Sequence, residues 1–169
     1  MEVSGYIQFI EADESEMNEL SILAREIWPI TFQEILSPEQ IEYMLDWMYN
    51  PKTLMDQMKQ GHQFYFLKDG NVKIGFVGIE KNYPEAGLLR IHKLYLKPVY
   101  QGKGIGKYML DKIEEIARKK NMNGLHLNVN RFNDAYKFYK HCGFKTLKEE
   151  DIDIGNGFLM EDFNMLKKL

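Results

Sequence analysis

Residues 88–118, LLRIHKLYLKPVYQGKGIGKYMLDKIEEIAR, decide the fold of this chain. The stretch opens with apolar residues near period two, which is typical of a strand, and Pro98 ends it. Three glycines follow at alternate positions, and apolar residues then recur every four positions, which predicts one face of an amphipathic helix. The strand residues are Leu89, Ile91, Leu94 and Leu96, and the helix residues are Ile105, Met109, Ile113 and Ala117.

The glycine-rich turn carries a chemical prediction. A helix start has backbone N–H groups without partners and a partial positive charge from the helix dipole. Gly102, Gly104 and Gly106 remove the Cβ atoms that would keep a phosphate away, and Lys103 and Lys107 add positive charge. The pattern therefore favours a phosphate or pyrophosphate ligand over a turn that needs glycine only for its backbone conformation.

Two common phosphate-binding motifs do not fit this turn. A P-loop requires Ser or Thr after its Gly-Lys pair, and here Tyr108 follows Gly106-Lys107. The dinucleotide motif requires Gly-x-Gly-x-x-Gly and an acid near the end of the next strand, where this chain has Asn128 and Asn130.

The pattern Gln/Arg-x-x-Gly-x-Gly/Ala does fit residues 101–106, QGKGIG, and it resembles the acetyl-CoA loop of the GNAT superfamily of N-acetyltransferases. Residues 133–144, NDAYKFYKHCGF, are similar to the second motif of that family: an Asn–Ala pair, then Phe-Tyr, then Gly-Phe. The interval of one helix and one strand between the motifs also fits. Residues 30–32, ITF, and 37–39, SPE, further resemble the PaiA-type branch, which acetylates polyamines.

Size, charge and cysteine content bound the class of protein. The 169 residues fit a single domain spanning 1–169, and the net charge of -3 argues against a nucleic-acid partner held by a broad basic face. Cys142 is the only cysteine, so no internal disulfide is possible and a reducing compartment is expected. The N-terminal segment has neither a signal-peptide nor a membrane-spanning pattern, so we expect a cytoplasmic protein with no membrane partner.

The rest of the chain supplies the remaining elements. We expect an α/β (α+β) GNAT fold, a mixed central sheet flanked by helices, in the order β-α-α-β-β-β-α-β-α-β-β. The predicted strands are residues 3–10, 64–67, 74–80, 125–129, 144–154 and 158–166, besides the strand described above. The predicted helix signals are Asp13 with Glu16, an end at Pro29, Ser37-Pro38, Asn50-Pro51, and Gly143 as the cap of the helix that carries Tyr139.

Residues 28–58 are rich in Met and aromatic side chains, and two interpretations stay open. The first is core packing and contact within a homodimer. The second is an acceptor pocket lined by adaptable side chains, which the resemblance favours because the first helices of GNAT folds flank the acceptor. The residues concerned are Trp28, Phe32, Tyr43, Met44, Trp47, Met48, Tyr49 and Met55.

The resemblance implies how acetyl-CoA is held. The backbone N–H groups of the loop would bind the pyrophosphate, and the backbone of Leu94, Tyr95 and Leu96 would pair with the pantetheine arm. Asn133 would either hydrogen-bond CoA or cap a helix. The loop residues are Gln101, Gly102, Lys103, Gly104, Ile105, Gly106 and Lys107.

Tyr139 matches the family tyrosine that protonates the departing thiolate, and the alternative is a core tyrosine beside Phe138. With ordinary pKa values of about 8.5 for a thiol and about 10 for tyrosine, full proton transfer is uphill by about 2 kcal/mol. Tyr139 would therefore act as a hydrogen-bond donor, or with a pKa lowered by its surroundings.

The general base is less clearly indicated. Family members often carry a carboxylate on the strand before the loop, where this chain has Arg90 and His92. The candidates are His92, Glu80 on the preceding strand, and ordered water molecules. No metal is expected, because His126, His141 and Cys142 lack the spacing of a metal site.

The resemblance implies an N-acetyltransferase that moves an acetyl group from acetyl-CoA, its co-substrate, to a primary amine by direct attack in a ternary complex, with a small amine or polyamine favoured. Two alternatives stay open: acetylation of a protein or peptide, and a non-catalytic module that binds CoA as a sensor.

Overall fold

The computed structural model describes residues 5–169, and residues 1–4 lie outside it. Seven strands form one sheet in the order β1-β2-β3-β4-β5-β7-β6. The strands are β1 Ile7–Glu11, β2 Gln63–Asp69, β3 Val72–Lys81, β4 Leu88–Leu96, β5 Gly124–Asn130, β6 Lys145–Gly155 and β7 Phe158–Lys168. The helices are α1 Met17–Thr31, α2 Pro38–Met48, α3 Pro51–Lys59, α4 Ile105–Lys119 and α5 Ala135–His141, with short 3-10 turns at Glu14–Glu16 and Pro98–Tyr100.

The predicted fold class is confirmed, since β4 and β5 pair in parallel and the other neighbouring strands are antiparallel. The predicted order has one helix too few between β1 and β2, where the structure has three. The helix start predicted at Asn50-Pro51 is confirmed, and it begins the third of them, α3. The predicted first strand begins only at Ile7, and its residues 3 and 4 lie outside the described residues.

Local capping signals account for most helix starts. The capping box of Asp13 and Glu16 is present at the turn that leads into α1. The Ser37 hydroxyl accepts a hydrogen bond from the Gln40 N–H at 3.1 Å, and the Asn50 side chain accepts one from the Thr53 N–H at 2.8 Å. Each bond satisfies an N–H that the helix itself leaves unpaired.

The expected end of α1 at Pro29 is wrong, because the helix continues to Thr31. The Phe32 N–H still bonds the Trp28 carbonyl at 2.9 Å. Proline removes one helical N–H, but Trp28 and Phe32 are both buried against the sheet, and this packing holds the last turn in place.

Two apolar clusters cover the two faces of the sheet. In β3, Val77 and Ile79 join the cluster under α4 and α5, whereas Phe76 joins the cluster under α1, α2 and α3. This alternation is what a strand buried on both faces requires. The core interpretation is confirmed for the most buried of the Met and aromatic residues, whereas Trp47 is 49% exposed. The buried members are Trp28, Phe32, Met44 and Tyr49.

The pairing of β4 with β5 is short, and this positions the site. Residues 88–91 pair with residues 124–127, although β4 continues to Leu96 and β5 to Asn130. A bulge falls at the same point, because Ile91 lies opposite Ile79, Lys93 lies opposite Gly78, and His92 is the extra residue. Within residues 5–169, β4 beyond the bulge has no partner strand on its β5 side.

None of the helices in the described part of the chain combines the length and the apolarity that a bilayer crossing requires.

Candidate active site

The glycine loop follows directly from the unpaired end of β4. Gly102 and Gly104 have φ angles of 77° and 78°, and both positions face open space. Gly104 precedes α4 and has no side chain with which to cap it. The first N–H groups of α4 are therefore left to an external partner, and the absent Cβ atoms leave room for one.

Gly106 has a different role from the other two glycines. A Cβ at this position would lie 3.3 Å from the Phe138 ring, so the glycine allows α4 to lie close to α5. The two sequence motifs that predicted the family therefore contact each other in the fold. Gly106 is needed for helix packing rather than for a positive φ, which accounts for the third glycine of the loop.

The other loop residues divide by exposure. Ile105 is buried in the core and anchors the start of α4. Gln101, Lys103 and Lys107 are exposed; the Gln101 side chain donates to the Leu96 carbonyl at 3.4 Å, and Lys107 forms an ion pair with Asp111 at 3.0 Å. The exposed ammonium groups lie in the same segment as the helix start, as a phosphate site requires.

Tyr139 and Asn133 lie on and beside α5. Tyr139 is 7% exposed, and its ring packs edge-on against Phe144. Burial raises the pKa of Tyr139 well above its ordinary value, which contradicts the alternative of a lowered pKa; the hydrogen-bond donor role stays a prediction. The Asn133 side-chain oxygen accepts from the N–H of Ala135, the first residue of α5, at 3.0 Å.

A carboxylate held by two imidazoles lies beside the bulge of β4. Glu80 Oε1 is 2.9 Å from His92 Nε2 and 3.3 Å from His62 Nε2. The two imidazole rings stack at 4.4 Å with an angle of 11° between them. We call this group the His62–Glu80–His92 cluster. Its side chains are 10–20% exposed, so the cluster is in partial contact with solvent.

Burial sets the charge of this cluster. Desolvation, with a smaller contribution from nearby positive charge that includes Lys93, lowers the pKa of His62 to about 4 and that of His92 to about 2. Desolvation also raises the pKa of Glu80 above its ordinary value. Both imidazoles are therefore neutral at pH 7 and donate Nε2–H groups to Glu80, which leaves the carboxylate as the stronger base.

Lys93 is an unusual neighbour because its ammonium is almost fully buried. Its Nζ donates to Gln57 Oε1 at 3.0 Å and lies 5.3 Å and 5.5 Å from the ring centres of Tyr49 and Phe64. Burial lowers its pKa to about 8. Two aromatic faces and one amide are weak compensation for a buried charge, so Lys93 costs stability at neutral pH.

A second polar group continues on the same face of the sheet. Glu80, Arg90 and His126 lie side by side on β3, β4 and β5, and Arg90 Nη1 donates to His126 Nδ1 at 2.9 Å. Farther along, Asp162 lies opposite Glu150 on the neighbouring strand, and only 4% of its surface is exposed. Three carboxylates, Glu80, Glu150 and Asp162, therefore face one side of the sheet.

The structure brings together some predicted residues and adds others. Glu80 and His92, predicted separately as bases, form one hydrogen-bonded pair. His62 and Asp162 were missed, because neither belongs to a motif and each reaches the site only through strand pairing. Cys142 packs against the core, and burial raises its pKa, in agreement with the packing interpretation.

The family is decided by comparison with known proteins. The model of the acetyltransferase (GNAT) family matches residues 17–144. This chain belongs to the GNAT family. It is therefore an acetyl-CoA-dependent N-acetyltransferase.

Individual relatives agree with this assignment. A spermidine N(1)-acetyltransferase of Thermoplasma acidophilum is 34% identical over 152 residues, which are 86% of this chain and 90% of the relative. A [ribosomal protein bS18]-alanine N-acetyltransferase of Haemophilus influenzae is 32% identical over 118 residues, 69% of this chain and 76% of the relative.

Solved structures are also similar to this GNAT enzyme. One is the crystal structure of the PaiA N-acetyltransferase from Thermoplasma acidophilum in complex with coenzyme A, whose sequence is 30% identical. The two structures superpose with a TM-score of 0.80 over 97% of this chain and 99% of the PaiA chain. A GNAT structure from Rhodopseudomonas palustris reaches a TM-score of 0.82 at 18% identity, over 100% and 99% of the two chains, which bears on the fold alone.

Gly104→Ala tests the glycine loop. An alanine with positive φ costs about 1–2 kcal/mol, so we expect lower stability and at least about tenfold weaker CoA binding by calorimetry. Gly157→Ala is the matched control, because Gly157 has a φ of 79° and also faces open space, but lies in the β6–β7 turn. It should lose similar stability and bind CoA normally. Equal CoA binding by both variants would remove the loop from the CoA site.

Asp162→Asn tests whether a buried carboxylate is kept at the expense of stability. Burial raises the pKa of Asp162 to about 6, so the folded state binds its proton more tightly than the unfolded state, and stability falls as pH rises from about 4 to 6. The asparagine should gain up to about 3 kcal/mol in urea unfolding at pH 7 and nothing near pH 4. Glu149→Gln, a 67% exposed side chain on β6, should change stability little at either pH. A gain that is equal at both pH values would contradict the assignment.

Proposed function

We propose that this enzyme acetylates a small primary amine, with a polyamine favoured, and that the amine attacks acetyl-CoA directly in a ternary complex. The observation that carries the proposal is the sheet face on which Glu80 lies beside the bulge of β4, with Glu150 and Asp162 on the same face. A face with three carboxylates suits a molecule with more than one ammonium group. The similarity to the Thermoplasma spermidine acetyltransferase supports the same class of acceptor.

The donor binds along β4 in this proposal. The pyrophosphate lies on the N–H groups of the glycine loop, from Gln101 to Lys107. The side-chain oxygen of Asn133 accepts from the Ala135 N–H, and its N–H₂ group is the part that would bind CoA. The pantetheine arm pairs with Leu94, Tyr95 and Leu96, where β4 lacks a partner strand. A backbone N–H next to the bulge then polarises the thioester carbonyl.

Glu80 is the general base. The acceptor reacts as the neutral amine: its nitrogen attacks the thioester carbon, and the proton that this nitrogen must then lose passes to the Glu80 carboxylate, directly or through a water molecule. His62 and His92 hold the carboxylate in place through their Nε2–H groups. His92, the other predicted candidate, has a pKa far below neutrality, so it orients Glu80 and does not itself accept the proton.

The C–S bond breaks when the tetrahedral intermediate collapses, and the electron pair stays on the CoA sulfur. Tyr139 donates a hydrogen bond to that thiolate. Because burial raises the pKa of Tyr139, full transfer of its proton is less favourable than with an ordinary tyrosine. The final proton on sulfur is therefore supplied by solvent or by the proton released from the amine.

The similarity to the Haemophilus alanine N-acetyltransferase keeps a protein N-terminus as the second candidate acceptor. The sensor alternative is not retained, because the chain is an N-acetyltransferase by family. The test is release of free thiol from acetyl-CoA with matched panels of polyamines, amino acids and peptides. Turnover with spermidine-like amines and not with peptides is expected; a preference for peptides would overturn the proposed acceptor.

Glu80→Gln should lower kcat by at least about a hundredfold, because general base catalysis contributes about 10² to 10⁴ in rate. His92→Gln should lose less, since Glu80 remains to accept the proton. The control is Glu85→Gln, an exposed side chain in the turn before β4. Initial rates at saturating amine measure the effect, and a larger loss for His92→Gln would assign the base to His92.

Tyr139→Phe should lower kcat by about tenfold to a hundredfold with little change in the KM of acetyl-CoA, because the lost hydrogen bond forms to the thiolate rather than to the bound thioester. Tyr136→Phe is the control on the same helix, since its hydroxyl lies 3.5 Å from Thr146 Oγ1. Unchanged turnover in Tyr139→Phe would show that Tyr139 serves only to pack the core.

A further inference from the structure

We propose that the His62–Glu80–His92 cluster binds a divalent transition-metal ion of the Zn²⁺ class, and that the bound ion excludes the acceptor amine. The metal is an inhibitor in this proposal, and catalysis does not need it. The binding claim stands on the cluster alone, whereas the claim of competition rests on the proposed function of Glu80.

The distances within the cluster suit one ion. Glu80 Oε1 lies 2.9 Å from His92 Nε2 and 3.3 Å from His62 Nε2, and all three ligand atoms lie within 4.8 Å of one another. Bonds of about 2.0–2.2 Å to a tetrahedral ion place ligand atoms about 3.4 Å apart. The two distances from Glu80 Oε1 to the imidazole nitrogens are therefore close to the ligand–ligand distances around a bound ion. Small side-chain shifts would bring the two Nε2 atoms to the same separation.

The ligand types select the class of ion. Two imidazoles and one carboxylate match the three protein ligands of open zinc sites, which leave a fourth position for water. Imidazole also suits Cu²⁺ and Ni²⁺, whereas Mg²⁺ and Ca²⁺ prefer oxygen ligands. The cluster therefore favours borderline-soft ions over the hard cations.

The scaffold holds the ligands on three separate elements. His62 directly precedes β2, Glu80 lies on β3, and His92 is the extra residue of the β4 bulge. The imidazole rings stack nearly parallel, so both Nε2 atoms meet Glu80 from the same side. Side-chain exposures of 10–20% leave a path from solvent to the ligand atoms.

Two features limit the affinity. A metal at Nε2 places the imidazole proton on Nδ1, and the His62 Nδ1 atom is buried with no hydrogen-bond partner among the described residues. Metal-binding histidines usually donate that proton to an acceptor. The buried ammonium of Lys93 also repels a cation. Binding should thus be reversible and weaker than at a structural zinc site.

The consequence for the enzyme follows from the shared carboxylate. A metal on Glu80 Oε1 withdraws negative charge from the carboxylate that would accept the amine proton, and it takes up space beside that carboxylate. The glycine loop is formed by other residues, so CoA binding should persist with the metal present.

The first test titrates the untagged, thiol-reduced protein with Zn²⁺ against a chromophoric chelator, without CoA. One ion should bind per chain, and His62→Gln and His92→Gln should each weaken it by at least about tenfold, since even a lost orienting partner costs 10-fold to 100-fold. His141→Gln, an exposed residue at the end of α5, is the matched control and should bind normally. Calorimetry with CoA confirms that each variant is folded.

Absent binding, or binding unchanged in both cluster variants, would overturn the metal site. Co²⁺ gives a second measurement that needs no variant. The wild-type protein should show the visible absorption of a four- or five-coordinate nitrogen and oxygen site, and a sulfur charge-transfer band would assign the ion to Cys142 instead.

The competition claim is tested separately, by the rate of acetylated amine formation at several Zn²⁺ concentrations. The apparent KM of the amine should rise linearly with the free Zn²⁺ concentration, the KM of acetyl-CoA should not change, and a chelator should restore activity. Stoichiometric binding without any effect on the amine KM would overturn competition and leave the metal site standing. A failure of the amine panel itself would count against the proposed function and not against the metal.

Discussion

The separation of β4 from β5 is the constraint on which the rest of the structure depends. The two strands share four residue pairs and then part, although both continue. Unpaired backbone groups in a protein interior cost free energy, and an extended ligand that pairs with β4 recovers those hydrogen bonds. The glycine loop follows the end of β4, Glu80 comes from β3, and Tyr139 comes from the helix after β5.

The site is also where the protein accepts electrostatic cost. Desolvation is the main cause of the shifted pKa values of Lys93, Asp162, His62 and His92, and in each case it disfavours the charged form. The charged forms of these groups would have a lower free energy in water. Apolar residues in their place would make the folded protein more stable. Ionisable groups concentrated on one face of a sheet, beside a bulge, are typical of a catalytic surface rather than of a core.

Local signals predicted local structure well. The helix starts at Ser37 and Asn50 depend on a side chain and an N–H three residues away, so four residues of sequence contain the whole interaction. The failure at Pro29 has the opposite origin. The preference of proline to end a helix is weaker than the burial of Trp28 and Phe32, and that burial depends on strands far away in the sequence.

The sequence by itself determined the family, the strand–loop–helix unit and the residues of the predicted CoA loop, because these depend on contiguous residues with their own backbone requirements. Only the tertiary structure brought together the His62–Glu80–His92 cluster, on which the proposed acceptor side rests. His62, Glu80 and His92 are separated by many residues, and they meet because β2, β3 and β4 pair in one register with a bulge at His92. Strand register brings these side chains together, and burial sets their charge. Neither the register nor the burial can be predicted from short separate segments of the sequence.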